Sequence, residues 1–260
     1  MITHFAGLRL HTVSIPGVKQ FYRDILGFPI VMEAEGEIRF RPTDSFELAF
    51  EESEEPIAPV HFAFEVPFSA FDDIANKLRR TVPLLSWEDG TTLNRFETGK
   101  NVYFRDGDGH LLELIAHSDG REQGRQAFGK LQVLYLREVG LPFEPERLNG
   151  AREWMKRVLS LQSVMEDERF GFMVGGTAYS VVVSTARRWV PISMIALKPN
   201  IEIAYGIDGQ DHLELIRSEL IRENQLLDTD GNKLTFNLFG YTVHLVAGSN
   251  RIVSRPLNEY

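Results

Sequence analysis

The sequence predicts an α+β chain built from four βαβββ modules, and three observations carry that prediction. A strand, a helix and a group of short strands recur in the same order along the chain. Period-two alternation of apolar residues marks the strands, and i, i+3, i+4 spacing marks the helices. The recurrence spans most of the 260 residues, which makes it an internal repeat and a stronger constraint on fold than any single motif.

The first module opens with alternation over residues 4–13. A helix over 16–26 follows, entered through Pro16, with Val18, Phe21, Tyr22 and Ile25 at helical spacing. Short strands are expected at 30–34, 38–41 and 46–50. The plan restarts at 59–66, where alternation puts Val60, Phe62 and Phe64 on one face and His61 and Glu65 on the other. A helix over 68–80 turns Phe71, Ile74 and Leu78 inward, and strands at 101–105 and 110–116 close the module. Between those strands, Asp106-Gly107-Asp108-Gly109 supplies the positive φ that a tight connection needs.

Residues 117–130 shift to Ser, Asp, Gly, Arg and Gln and read as a linker. A third module follows, with a strand over 131–143, a helix over 145–161 that buries Leu148, Ala151, Met155, Val158 and Leu159, and strands within 170–184. The fourth has a strand over 201–207, a helix over 211–223 and strands within 233–246. The resulting division is a domain over 1–118, a linker over 119–130 and a second, degenerate domain over 131–260. Phe62, Phe64, Phe71 and Trp154 are core candidates.

Composition removes several functional classes. There are 37 acidic and 28 basic residues with no sustained Lys/Arg cluster, so the chain lacks the basic footprint of a nucleic-acid binder. The absence of cysteine excludes disulfides, thiolate metal sites and a cysteine nucleophile, and leaves nitrogen and oxygen as metal donors. No basic stretch leads into an apolar run at the start, and no run reaches membrane-spanning length, so a cytoplasmic protein with no membrane partner is expected. Neither a P-loop nor GxGxxG, HExxH or GxSxG occurs. Residues 106–109 and 228–232 resemble calcium loops but lack the ligand spacing and the closing glutamate, and are read as turns.

The most informative residue is Glu113, which alternates against Leu112 and Leu114 inside an apolar strand. A carboxylate there faces either water or a cavity where charge is wanted. Three motifs give it company: Phe21-Tyr22-Arg23-Asp24-Ile25-Leu26-Gly27-Phe28, Val60-His61-Phe62-Ala63-Phe64, and the block from Phe104 to Leu114. In this order they resemble the FYxxxLGF, HxxF and YFRDPDGNxxEL signatures of the vicinal oxygen chelate superfamily, which includes glyoxalase I, extradiol dioxygenases, and fosfomycin- and bleomycin-resistance proteins. Residues 131–247 match in plan only, through 138–143, Trp154-Met155 and 241–246.

The resemblance implies tandem glyoxalase/bleomycin-resistance/dioxygenase-type domains, in which modules pair and curled mixed sheets surround a cavity. It also implies metal ligands on the first and last strands of the modules. Carried onto this sequence, those places hold Glu47, His61 and Glu113, with Glu47 as ligand or general base. The fourth place falls on Phe5 or Gly7, neither of which binds metal, while His4 has the wrong strand parity and His11 lies about 13 Å further along. The same places in the C-terminal half hold Glu138, Glu202 and His244, a weaker second set, with Ser180 where Glu47 stands in the first. Arg95, Tyr103 and Arg105 are candidates to line the first cavity.

One imidazole and two carboxylates suit a divalent ion such as Fe, Mn, Ni or Zn, with positions left for a substrate whose adjacent oxygens chelate it. The activity this implies is a metal-dependent lyase, isomerase or dioxygenase on a small oxygenated molecule, with a homodimer among its assemblies. The alternative is a metal-free protein that sequesters an aromatic or antibiotic-like ligand in the same cavity. Taken alone, His61 also reads as a half-buried strand histidine, Glu113 as a solvent-facing glutamate, and Glu47 as part of an acidic edge with Glu51, Glu52, Glu54 and Glu55.

Overall fold

The computed structural model describes residues 1–248, so the end of the domain expected to reach 260 lies outside the described residues. The first module comprises β1 (Ile2–Thr12), α1 (Ile15–Val18, continued by a π-helical turn at Lys19–Ile25), β2 (Ile30–Ala34), β3 (Glu37–Thr43) and β4 (Phe46–Glu52). The second comprises β5 (His61–Glu65), α2 (Phe71–Leu78), β6 (Asn94–Phe96), β7 (Gly99–Arg105) and β8 (Leu111–His117). The third is β9 (Tyr135–Phe143), α3 (Pro145–Leu159), β10 (Gln162–Val164), β11 (Phe170–Gly175) and β12 (Ala178–Ser184). A small hairpin, β13 (Arg188–Trp189) and β14 (Met194–Ile195), precedes the fourth: β15 (Glu202–Ile207), α4 (Gln210–Arg222), β16 (Leu226–Asp230), β17 (Lys233–Leu238) and β18 (Tyr241–Ala247).

The helices carry the signals that their sequences advertise. The Ser14 hydroxyl accepts from the Gly17 N–H ahead of α1, and α3 starts at Pro145 and stops at Ser160, which adopts φ 54°. Acidic Asp72 and Asp73 open α2 and Lys77 closes it, matching the helix dipole. Phe62, Phe64 and Phe71 are fully buried, and Trp154 packs in the core with its Nε1 donating to Glu223 Oε2 at 2.6 Å.

The modules assemble into two open, mixed eight-stranded sheets, in the orders β16-β17-β18-β15-β1-β4-β3-β2 and β10-β11-β12-β9-β5-β8-β7-β6. Module one therefore shares a sheet with module four, and module two with module three. β1 runs antiparallel to β15, and β5 antiparallel to β9. The boundary at 119–130 does not separate the sheets, because each takes four strands from either side of it. One face of each sheet packs with the helices in a single large core that includes Phe5, Tyr22, Phe50, Phe62, Leu114, Leu141, Tyr205 and Val243. The opposite faces carry His61, Glu113 and Glu138 on one sheet and Glu47, Glu202 and His244 on the other. Among the described residues, no helix is long and apolar enough to cross a membrane.

Candidate metal centre

The centre forms around β5, which lies between β8 and β9. Ala63 pairs with Glu113 on its parallel neighbour and with Glu138 on its antiparallel neighbour, so a lone methyl group separates the two carboxylates. His61 stands two residues earlier on the same strand, hence on the same face. Its Nε2 lies 3.6 Å from Glu113 Oε2 and 3.6 Å from Glu138 Oε2. Its Nδ1 is 3.2 Å from the carbonyl oxygen of Leu111. A carbonyl only accepts, so Nδ1 carries the ring proton and Nε2 presents its lone pair to the two carboxylates.

Each carboxylate is held by its other oxygen. Asn101 Nδ2 donates to Glu113 Oε1 at 2.7 Å, and Arg137 Nε donates to Glu138 Oε1 at 3.2 Å, which leaves both Oε2 atoms facing the imidazole. Arg137 reaches Glu138 because it is the extra residue of a β-bulge: Ala63 pairs with Glu138 and Phe64 with Leu136. The same guanidinium stacks 3.8 Å over the Tyr179 ring and approaches Glu65 Oε2 at 3.6 Å. Glu65 in turn accepts from His117 through its backbone N–H and Nδ1.

The two carboxyls are driven apart in acidity. Burial, reinforced by the nearby charge of Glu138, pushes Glu113 well above the usual carboxylate range. Burial acts the same way on Glu138, but the adjoining His61 ring and the charge and hydrogen bond of Arg137 outweigh it and hold that carboxyl below the usual range. A proton shared out in this way marks a place where a cation would sit. Two bonds of about 2.1 Å at a roughly tetrahedral angle separate donor atoms by about 3.4 Å, close to the spacing found here. The donor set therefore fits a divalent ion: His61 Nε2, Glu113 Oε2 and Glu138 Oε2 would hold it.

Two of the three ligands come from module two and the third from module three, so the residues grouped by chain half in the sequence are regrouped by sheet. Glu47 is not brought to His61; it lies on the other sheet, 3.5 Å from both Arg39 and Arg41. There it shares a face with Glu202 and His244, whose Nε2 is 3.2 Å from Glu202 Oε2. Glu47 pairs across Gly7, which in turn pairs with Ala204, the neighbour of His244. Arg9 spans this face, contacting Glu37, Glu51 and Glu202. Arginines thus supply the positive charge that a metal would otherwise bring, and among the described residues neither Glu47 nor the Glu202–His244 pair belongs to a group of three metal-ligating side chains.

Other expected residues also differ. Ser180 pairs with Val139 and turns to the core, sharing a 2.6 Å hydrogen bond with the Tyr205 hydroxyl, while Tyr179 stands opposite Glu138. Tyr103 lies beside the centre, its ring 6.3 Å from His61; Arg105 contacts Met194; Arg95 pairs with Asp72 at the surface. Asn101 and Trp189, the latter with its ring 5.0 Å from His61, were not singled out. Alternation from Tyr103 marks Asn101; nothing local marks Trp189.

Asp106, Asp108 and His110 also lie within ligating reach of one another. The imidazole is not free to ligate, however: His110 Nδ1 accepts from Val60 N–H, so Nε2 carries the ring proton, while Asp106 accepts from Tyr22 Oη and the His110 backbone N–H and Asp108 from Val13 N–H. This is a turn latch.

No protein-family profile matches the chain. Over 117 residues it is 34% identical to metallothiol transferase FosB of Staphylococcus haemolyticus (strain JCSC1435), spanning 42% of this chain and 81% of that protein. The chain belongs to the vicinal oxygen chelate superfamily. Solved structures agree on the fold of this superfamily over nearly the whole chain. One from Bacillus subtilis named for a dioxygenase superposes with TM-score 0.65 and 13% identity, covering 96% of this chain and 86% of that one. Glyoxalase I from Zea mays superposes with TM-score 0.57 and 11% identity, covering 94% and 92%. In superfamily terms, the chain is a tandem protein in which one sheet keeps a compact nitrogen-and-oxygen donor set and the other has an arginine–carboxylate network.

Proposed function

We propose that the protein is a metal-dependent enzyme of the lyase, isomerase or dioxygenase kind, acting on a small oxygenated molecule at His61, Glu113 and Glu138. The observation that carries this reading is the bare Nε2 of His61 facing two buried carboxylate oxygens. A divalent ion bound there would supply Lewis acidity to oxygens on adjacent substrate atoms. The chain's own residues do the rest. Asn101 fixes the orientation of Glu113 and keeps its Oε2 turned toward the imidazole, where the ion would sit. Arg137 keeps Glu138 ionised. The apolar wall of Leu111, Val181 and Val183 limits water.

The unit proposed to carry this function is the sheet formed by modules two and three, in place of the division at 119–130. A second reading, a metal-free protein that sequesters an apolar ligand, is favoured by that same wall and by Trp189 over the imidazole. Calorimetric titration of chelator-treated protein with Mn(II), Fe(II), Ni(II) and Zn(II) distinguishes the two. One saturable site, abolished by His61→Ala, supports the enzyme; no metal binding alongside uptake of an apolar ligand supports sequestration.

A further inference from the structure

The centre is sealed: His61, Glu113 and Glu138 are 4%, 2% and 6% exposed, so a substrate has no direct approach to the face that the metal would leave open. What covers it is the segment between β12 and β15. Its β13–β14 hairpin forms a sheet of its own, paired Arg188 to Ile195 and Trp189 to Met194, and joins neither large sheet's ladder; one side-chain contact, from Arg105 on β7 to Met194 Sδ at 3.1 Å, ties it down. One side of it is buried through Trp189 and Ala196; the other exposes Val190, Ile195 and Leu197. Such an element can lift without breaking a sheet ladder.

Trp189 is the part of that cover that meets the centre. Its ring lies at 43° to His61 and packs in a small apolar cluster with Tyr103, Leu111, Val181 and Val183. The chain makes room for it at Gly140, where a Cβ would fall 2.8 Å from the indole and 3.2 Å from the His61 Cβ. The indole Nε1–H is buried with no hydrogen-bond partner, and so is that of Trp87, whose ring is 5.9 Å from Tyr103. A buried donor left unpaired is unfavourable until an acceptor reaches it.

Resting on the metal-centre reading above, we propose that Trp189 is a ligand-binding residue that sets specificity. The hairpin lifts to admit a molecule with an apolar, flat body and an oxygen acceptor; the ring then packs on the body and Nε1–H donates to the oxygen. The energy of this contact is realised only when ligand is present, so it selects among molecules that share one chelating head.

The test uses Mn(II)-loaded protein and two probes with the same head, acetohydroxamate and benzohydroxamate. Tryptophan emission is read in a Trp87→Phe/Trp154→Phe background. Benzohydroxamate is expected to bind at least about tenfold tighter than acetohydroxamate and to shift Trp189 emission. The preference is expected to fall below about threefold in Trp189→Ala. In Trp189→Phe, which keeps a ring and guards against misfolding, the preference should persist while both probes weaken severalfold. Unchanged preference in Trp189→Ala, or Trp189→Phe binding both probes as the parent does, would overturn the proposal with the metal centre intact. A parent that retains no Mn(II) would remove the centre itself, and this role with it.

Discussion

Arg137 shows how much a single residue contributes at this site. It is 5% exposed, donates to Glu138, approaches Glu65 and stacks on Tyr179. Replacing it with leucine would leave two buried carboxylates without their cation, and removing one partner of a buried pair costs about 3–5 kcal/mol. Arg137→Leu is therefore expected to lower urea stability by roughly that amount, and Arg137→Lys by less; a loss under about 1 kcal/mol would show the cluster to be dispensable. Glu113 and His61 were legible in the sequence because strict alternation exposes a polar residue among apolar ones. Arg137 was not, because the bulge that turns it onto the same face as Glu138 breaks alternation. The arginines around Glu47 were equally hidden: Arg39 and Arg41, on β3, meet it only through strand pairing.

Elements were legible where pattern and punctuation agreed. The helix expected over 145–161 is α3, with the same inward residues, and the helix expected over 211–223 is α4. The short strands β6, β10, β13 and β14 carry no period in two or three residues, and β16 takes in 228–230 of the stretch read as a turn, because Asp-Thr-Asp offers no apolar alternation. Two glycines give opposite expectations. Gly150 lies in α3 with open space around its Cβ position, so Gly150→Ala should stabilise by about 0.5–1 kcal/mol. Gly176 turns β11 into β12 at φ +57°, and a Cβ there would fall 2.0 Å from the backbone oxygen of Thr3, so Gly176→Ala should destabilise by more than about 2 kcal/mol. Thermal melts of the two variants moving in the same direction would contradict the described packing. Between the sheets, burial pushes the Tyr205 hydroxyl from 10.0 up to about 12. The folded state thus keeps a proton that the unfolded state releases, and this contribution, complete below the unfolded value, is lost as pH rises from about 10 to about 12. Alkaline titration followed by tyrosinate absorbance should show this group ionising together with unfolding; free ionisation in the folded protein near its ordinary value would contradict its burial.

For the whole molecule, the repeat was legible and the partnership of its modules was not. Four similar modules can pair as neighbours in sequence or as inner and outer pairs, and local pattern is the same for both. The structure has the second arrangement, so β1 and β5 each depend on a strand from the other half of the chain. Residues 1–118 expressed alone would expose both as bare edges. That fragment is expected to self-associate or aggregate in light scattering, whereas a stable monomer with native-like amide protection would contradict the pairing. The same pairing decides which ligands meet, and hence the central claim of a centre spanning modules two and three. Metal content of protein purified without chelator or nickel affinity, compared among the parent, Glu138→Gln and Glu47→Gln, tests it most directly. One divalent ion per chain in the parent and in Glu47→Gln, with loss in a folded Glu138→Gln, is the expected result; metal retained by Glu138→Gln and lost from Glu47→Gln would contradict it.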